Sequence, residues 1–203
     1  MDSPTRHFIC LAHDVPLEGD FSLDDLAGGA GRLDAIARSI AAAFVTSHGI
    51  RTYVHAHVVV QDAYTITFDG SELRRLNPDE RSTAALVRRA LESREEAIGA
   101  MPADIHPGVA GYRRGLVGTL EAIDDGPVVQ LHEDGEAIVD VAAGELAGAV
   151  FVLSDHREFS SAEQAVLEDR VDRRLRVGPT RLHADQAITV AHNYLDTDGY
   201  TAF

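Results

Sequence analysis

The sequence contains no lysine: its 18 basic residues are all arginines, set against 33 acidic ones for a formal charge of −15. It has a single cysteine, Cys10, which excludes an intramolecular disulfide and any zinc knuckle built on cysteines. It also lacks a long apolar run. Segments such as 40–45, 58–60 and 147–153 fall far short of the roughly 20 residues that span a bilayer. The segment 1–6 carries acid where a secretory leader carries base, and no apolar core follows it. These absences predict a soluble, cytoplasmic protein with a reduced thiol and no membrane partner. A chain of 203 residues suffices for one domain. Such a domain buries about 70% of its unfolded surface and needs no metal to hold it.

A charge of −15 normally argues against nucleic acid, because a negative surface repels phosphates. Arginine without lysine on an aspartate-rich surface gives another reading, a protein that works in concentrated salt. At roughly 1 M salt the screening length is about 3 Å, so dispersed negative charge neither unfolds the chain nor repels distant phosphates. A GC-rich genome, which also favours arginine, is the competing explanation. Either way, net charge does not exclude an RNA substrate.

Predicted strands and helices alternate, with no repeat or low-complexity tract. Strands are expected at 6–12, 53–60, 64–68, 128–131, 149–153 and 175–177, where β-branched and aromatic residues concentrate. Leu33, Ile36, Ala37, Ile40, Ala41 and Phe44 fall at helical spacing over 32–48, with Gly49 placed as a C-terminal cap. Asn77-Pro78-Asp79-Glu80 predicts a second helix capped by Asn77 and running to about Ala97. The prolines and glycines of 101–111 predict a loop that divides the chain. A short helix is expected at 113–123 and a turn around Gly135. Ser160 with Glu163 forms a capping box for a further helix, and 185–195 closes the order as a helix. The result is an α/β fold with a mostly parallel sheet flanked by helices. Ligands in such folds bind beyond the carboxyl ends of strands, here near Leu131, Ser154 and Val177.

No phosphate loop, dinucleotide fingerprint or nucleophile elbow is present. Gly28-Gly29-Ala30-Gly31 precedes a helix, as an anion site would, but no strand leads directly into it; a flexible helix entry is the plainer reading. His55 and His57 share one strand face at a spacing that could hold a metal, without an evident third ligand, so no metal is assigned. Cys10 lies within an apolar strand and reads as a small hydrophobe. Three segments are richer in polar residues than packing requires. In the first, Arg32 and Asp34 open a helix with Arg38 on the side of Asp34, a catalytic arrangement or a surface ion pair. The second presents Asp69, Ser71, Glu72 and Arg74 at a strand end. The third, Val177-Gly178-Pro179-Thr180-Arg181-Leu182, exposes backbone amides that can pair with the edge of a purine.

With these segments the chain resembles the archaeal tRNA pseudouridine-54 N1-methyltransferases, the TrmY family of the SPOUT superfamily. The resemblance covers about 6–196. It rests on Gly31-Arg-Leu-Asp with Arg38, Ser47-His-Gly-Ile-Arg51, Phe68-Asp-Gly-Ser-Glu-Leu with Asn77-Pro-Asp-Glu-Arg81, and Leu182-His-Ala-Asp-Gln with His192-Asn193. It implies one domain over 1–203 whose part from about 125 to 196 forms a C-terminal trefoil knot. It also implies a homodimer and the use of S-adenosylmethionine to methylate N1 of pseudouridine in the tRNA T-loop. By family pattern the donor meets Leu131, Ser154, Val177, Gly178, Pro179, Thr180, Arg181, Leu182 and Ala187. Relatives commonly place glycine where this chain has Ser154, whose side chain would crowd a close backbone approach. Asp34 is the expected acceptor or orienting group for the N1 proton, and Arg32 the expected contact to phosphate or to O2/O4 of a flipped nucleoside. Arg38, Arg51, Arg74 and Arg113, with Asp69 and Glu72, are the expected substrate side chains, the arginines forming a local basic strip. An rRNA methyltransferase of the same fold, a non-catalytic RNA-binding or assembly protein, and a metal hydrolase using His55 and His57 are the competing functions.

Overall fold

The strand β1 (Arg6–Ala12) is buried at all seven positions, which requires packed elements on both of its faces and both of its edges. The computed structural model, which describes residues 5–74, 76–124 and 126–203, supplies them. The expectation for a leader falls partly on 1–4, and the expected start of the C-terminal part on Asp125; both lie outside the described residues.

In chain order the elements are β1, α1 (Leu33–Phe44), the two-residue strands β2 (Val45–Thr46) and β3 (Gly49–Ile50), β4 (Val54–Val60), β5 (Tyr64–Asp69) and α2 (Glu80–Glu92). They continue with β6 (Ala103–His106), β7 (Val109–Tyr112), α3 (Leu116–Glu121), β8 (Val128–Ala137), β9 (Val150–Ser154), α4 (Ser161–Arg170), β10 (Arg173–Arg176) and α5 (Ala184–Asp196). One sheet carries the order β10-β8-β9-β1-β4-β5-β7-β6. Pairing is parallel from β10 through to β4 and antiparallel from β4 to β6.

The two faces of β1 enter different cores. Phe8, Cys10 and Ala12 pack with Leu33, Ile36 and Ile40 of α1, Val87 and Leu91 of α2, and Ile188 and Ala191 of α5. Ile9 and Leu11 pack with Leu116 and Leu120 of α3 and Leu167 of α4. This alternation is the period-2 geometry of a strand between two helical layers. Burial pushes the Cys10 thiol up to about 12, so it stays protonated and behaves as a hydrophobe.

Several expectations need correction. Helix α1 ends at Phe44 rather than His48; β-branched Val45 and Thr46 instead pair with Gly49 and Ile50, so Gly49 is a hairpin residue and not a helix cap. The cap of α2 is Asp79, whose side chain accepts from the Ser82 amide, not Asn77. That helix stops at Glu92, followed by a 3-10 turn over Arg94–Glu96. The presumed loop 101–111 contains the hairpin β6–β7, with Gly108 at φ 77 in its turn. Proline and glycine there mark a turn between strands and not a division of the chain. Gly135 is not a turn but lies inside β8, where the pairing of β8 with β10 jumps from Gln130 to Glu136. The chain between them swings out of the ladder. The Ser160–Glu163 capping box of α4 is present as expected. Among the described residues no helix is long and apolar enough to cross a membrane.

A Cβ on Gly135 would stand 2.5 Å from the backbone carbon of Leu175. Gly135→Ala is therefore expected to push β10 off β8, destabilising the fold by about 1–3 kcal/mol and lowering the thermal midpoint by several degrees in a melting experiment.

Candidate active site

The carboxyl ends of β8, β9 and β10 open onto a cleft. Leu131 enters it where β8 swings out, Ser154 where β9 ends, and Val177, Gly178, Thr180, Arg181 and Leu182 from the loop after β10. Ala187 and Ala184 contribute the first turns of α5, with small side chains that leave the space open. Pro179 is exposed and stands outside the lining. Leu153, Phe159 and Leu175 add apolar wall, while Asp155 and Arg176 add charge. The Ser154 hydroxyl donates to the Arg157 carbonyl at 2.6 Å, so it closes a turn of the lining. Arg181 crosses the mouth, pairing with Glu158 on one side and approaching Glu133 at 3.5 Å on the other.

At the end of β1, His13 lies between two carboxylates. Its Nδ1 is 2.9 Å from Asp155 and its Nε2 is 3.1 Å from Glu163 of α4. The amides of His13 and Arg157 donate to the same Asp155 carboxylate, whose side chain is 1% exposed. The hydrogen bond to Asp155 first, and that to Glu163 after it, together raise the His13 imidazole to about 9 against the opposing effect of burial. Sequence reading missed this group because His13 lies 142 and 150 positions before Asp155 and Glu163 and meets them only through β1–β9 adjacency. The sole signal was a histidine and an aspartate placed just past predicted strand ends.

Beside this cleft stands the first turn of α1. Gly31 and Arg32 both adopt left-handed backbone, φ 60 and 62. A Cβ on Gly31 would lie 2.0 Å from the Asp14 carbonyl oxygen, so only glycine fits there. Arg32 is an arginine in a conformation that disfavours side chains, a form of strain that clusters at functional sites. Its Nε and Nη2 donate to the two oxygens of Asp34 at 2.9 and 3.2 Å, and Arg38 Nη1 donates to the same carboxylate at 3.0 Å. These bonds, that from Arg32 first, hold the Asp34 carboxyl down to about 2 against burial. Asp34 is thus a fixed anion with both oxygens engaged. Arg38 also reaches Glu80 of α2 at 3.2 Å and Asp185 of α5 at 4.0 Å, tying this group to the helix that lines the cleft. Arg32 is near enough to Asp155 to feel its charge.

The remaining expected substrate residues lie elsewhere. Arg51 precedes β4, at the amino end of the parallel strands, where its Nη2 donates to Asp196 at 3.1 Å. Arg6 donates to the other Asp196 oxygen at 2.6 Å and to His192 Nδ1 at 3.0 Å, which joins β1 to α5. His192 Nε2 donates to the Ala43 carbonyl, and burial with the nearby Arg51 and Arg6 lowers its value to about 3. Asp69, Glu72 and Arg74 follow the end of β5, which lies against the start of β4. Arg113 pairs with Glu95 at 2.6 Å beyond β7. The structure therefore brings Arg32, Asp34 and Arg38 together but spreads Arg38, Arg51, Arg74 and Arg113 over different places, and no single basic strip forms from them. His55 and His57, expected to lack a third ligand, are joined by His7 of β1.

A family model described as a putative SAM-dependent RNA methyltransferase matches residues 5–200. A tRNA (pseudouridine(54)-N(1))-methyltransferase of Haloarcula marismortui is 57% identical, over 98% of this chain and 100% of its own length. The protein of that name from Methanococcoides burtonii is 37% identical over 94% of this chain and 96% of its own. A crystal structure of Archaeoglobus fulgidus Nep1 bound to S-adenosylhomocysteine has a similar fold, with a TM-score of 0.60 at 11% identity over 95% of this chain and 98% of that one.

The His13 group sets a pH dependence. Its raised imidazole contributes stability that is whole below the unfolded value of 6.5 and is lost as pH rises through about 9. Asp155 and Glu163 act on the acid side: burial, which raises them, is outweighed by hydrogen bonds from His13 and backbone amides, so their contribution is lost as pH falls below their ordinary values of 3.8 and 4.5. Urea unfolding at pH 6.5 and pH 9 should show a loss on the order of 2 kcal/mol across that interval, and His13→Gln should flatten it.

Proposed function

Because the chain belongs to the tRNA (pseudouridine(54)-N(1))-methyltransferases, a family of SAM-dependent RNA methyltransferases, we propose a division of labour in which the strand-end cleft holds the donor and the first turn of α1 handles the target base. The activity is transfer of a methyl group from S-adenosylmethionine to N1 of pseudouridine 54 in tRNA. The observation that carries the assignment of parts is the proximity of Arg32, strained and charged, to the Asp155 end of a cleft whose lining combines apolar side chains, loop backbone and charged groups at the mouth.

The cleft suits an adenosyl group. Leu131, Leu153 and Leu182 offer flat apolar contact to a purine, and the loop 177–182 offers backbone amides and carbonyls to its edge. Bound there, S-adenosylmethionine supplies a methyl group on a sulfonium that is already electrophilic. The chain's own tasks are placement and the N1 proton. As N1 gives up its proton to solvent water, negative charge spreads to the ring carbonyls, and a fixed guanidinium stabilises it. Arg32 is that cation. Asp34, at about 2, is too weak a base to take the proton and instead fixes the Arg32 fork, with Arg38 holding Asp34 in turn. The T-loop base is extruded to reach the cleft.

The phosphates need guanidinium groups not already held by carboxylates. Arg174 donates to the Gln130 side chain and Arg176 to the Gly135 carbonyl, both neutral partners, and both arginines are exposed on edge strand β10 beside the cleft. We assign these two the tRNA backbone. Arg51, Asp69, Glu72, Arg74 and Arg113 fall outside this surface. We also propose a single domain over 1–203, a cytoplasmic homodimer, and a trefoil knot over the C-terminal part. The knot is supported by the course of α5. From the edge strand it crosses back to pack on α1, and Tyr194 donates to the Val141 carbonyl of the β8–β9 connection on the way.

The decisive assay supplies methyl-labelled donor with T-arm RNA carrying either pseudouridine or uridine at position 54. Label should enter only the pseudouridine RNA; equal labelling of both, or binding without transfer, overturns the reading. Asp34→Asn keeps the shape but loosens Arg32. It should lower kcat by about 10²-fold while leaving donor affinity within twofold, measured by calorimetry in molar potassium chloride.

A further inference from the structure

Parallel pairing of β1 with β4 sets His7 directly beside His55, and the strand period puts His57 on the same face two residues on. The three rings gather closely: one nitrogen from each lies within 4.8 Å of the others, and His7 Nδ1 is 3.0 Å from His57 Nε2. On the far side, antiparallel β5 places Thr67 opposite His57 and Asp69 opposite His55. Thr67 Oγ1 lies 3.1 Å from His57 Nδ1, and Asp69 Oδ1 lies 3.2 Å from His55 Nε2. Each of these two imidazoles is thus held at one nitrogen by an oxygen on β5, and the other nitrogen of His57 meets His7 Nδ1. That is how histidines are oriented around a bound metal, with the outer N–H on a carboxylate or hydroxyl.

We propose that His7, His55 and His57 form a zinc site, through His7 Nδ1, His55 Nδ1 and His57 Nε2, with water as the fourth ligand. Two nitrogens of a tetrahedral zinc site stand about 3.3 Å apart, a separation these side chains reach by small rotations. Water enters beside His55, whose side chain is 28% exposed, while His7 and His57 are buried. Three imidazoles favour zinc over magnesium or calcium, which take oxygen ligands. The Arg114 guanidinium is near enough to act on His57, and the Asp69 carboxylate faces His55. The site lies in the amino-terminal part of β1 and the first half of β4; along β1, His7 is four residues, about 13 Å, from Leu11, which pairs with the cleft residue Ser154. The ion therefore clips two central strands together and takes no part in methyl transfer, so this inference stands or falls separately from the proposed function.

The test uses untagged full-length protein, stripped with chelator and titrated with zinc chloride in molar potassium chloride. Expected are one zinc per chain by mass spectrometry of metals, a higher thermal midpoint, and visible bands of four-coordinate cobalt on Co²⁺ substitution. His55→Ala, partly exposed and so tolerated by the fold, should weaken binding about 100-fold and remove the cobalt bands, and Asp69→Asn should weaken binding about tenfold. Absence of zinc uptake overturns the site, as does uptake that is equal in the native protein and His55→Ala.

Discussion

The Asp155 carboxylate, almost wholly buried at the junction of β1 and β9, is the point from which the cleft is built. It accepts from two backbone amides and from His13, whose other nitrogen meets Glu163 on α4. A buried carboxylate is tolerated only when its oxygens are occupied, and here the bonds join the end of β1 to the turn after β9, with His13 carrying the link on to α4. The end of β1, the 155–159 turn and the start of α4 are therefore located relative to one another by charge as well as by packing. The cleft walls contributed by Ser154, Asp155 and Phe159 depend on that arrangement.

The acidic excess has a second effect. Arg6, Arg32, Arg38, Arg51, Arg113, Arg157, Arg170, Arg173 and Arg181 all lie against carboxylates. Exposed pairs of this kind contribute little individually, and concentrated salt screens them further. Their importance is in what they withhold: a guanidinium already facing a carboxylate is a poor anchor for phosphate. The few arginines with neutral partners stand out against that background, and two of them lie on one edge strand.

Much of the fold could be read from local signals. β1, the Ser160 capping box and the 177–182 loop announce themselves through β-branched runs, cap residues and a Gly-Pro pair. The β6–β7 hairpin did not, because Pro107 and Gly108 make the turn of a short hairpin look like the middle of a loop. Gly135 was misjudged for the same kind of reason: glycine there permits two backbones to touch, which sequence cannot distinguish from a turn. The strand-end cleft was legible because its residues follow expected strand ends in order. His13 with Asp155, and His7 with His55, were not, since strand register decides both meetings and no local pattern encodes register between distant strands.

Arg32 is held left-handed next to a glycine that can have no substitute. A glycine at position 32 would relax that backbone and remove the guanidinium with it. The local conformation thus stores tension in the resting protein, at a position where comfort and usefulness are opposed. Thermal robustness alone would favour the glycine, so the charge at this turn comes at a local conformational cost.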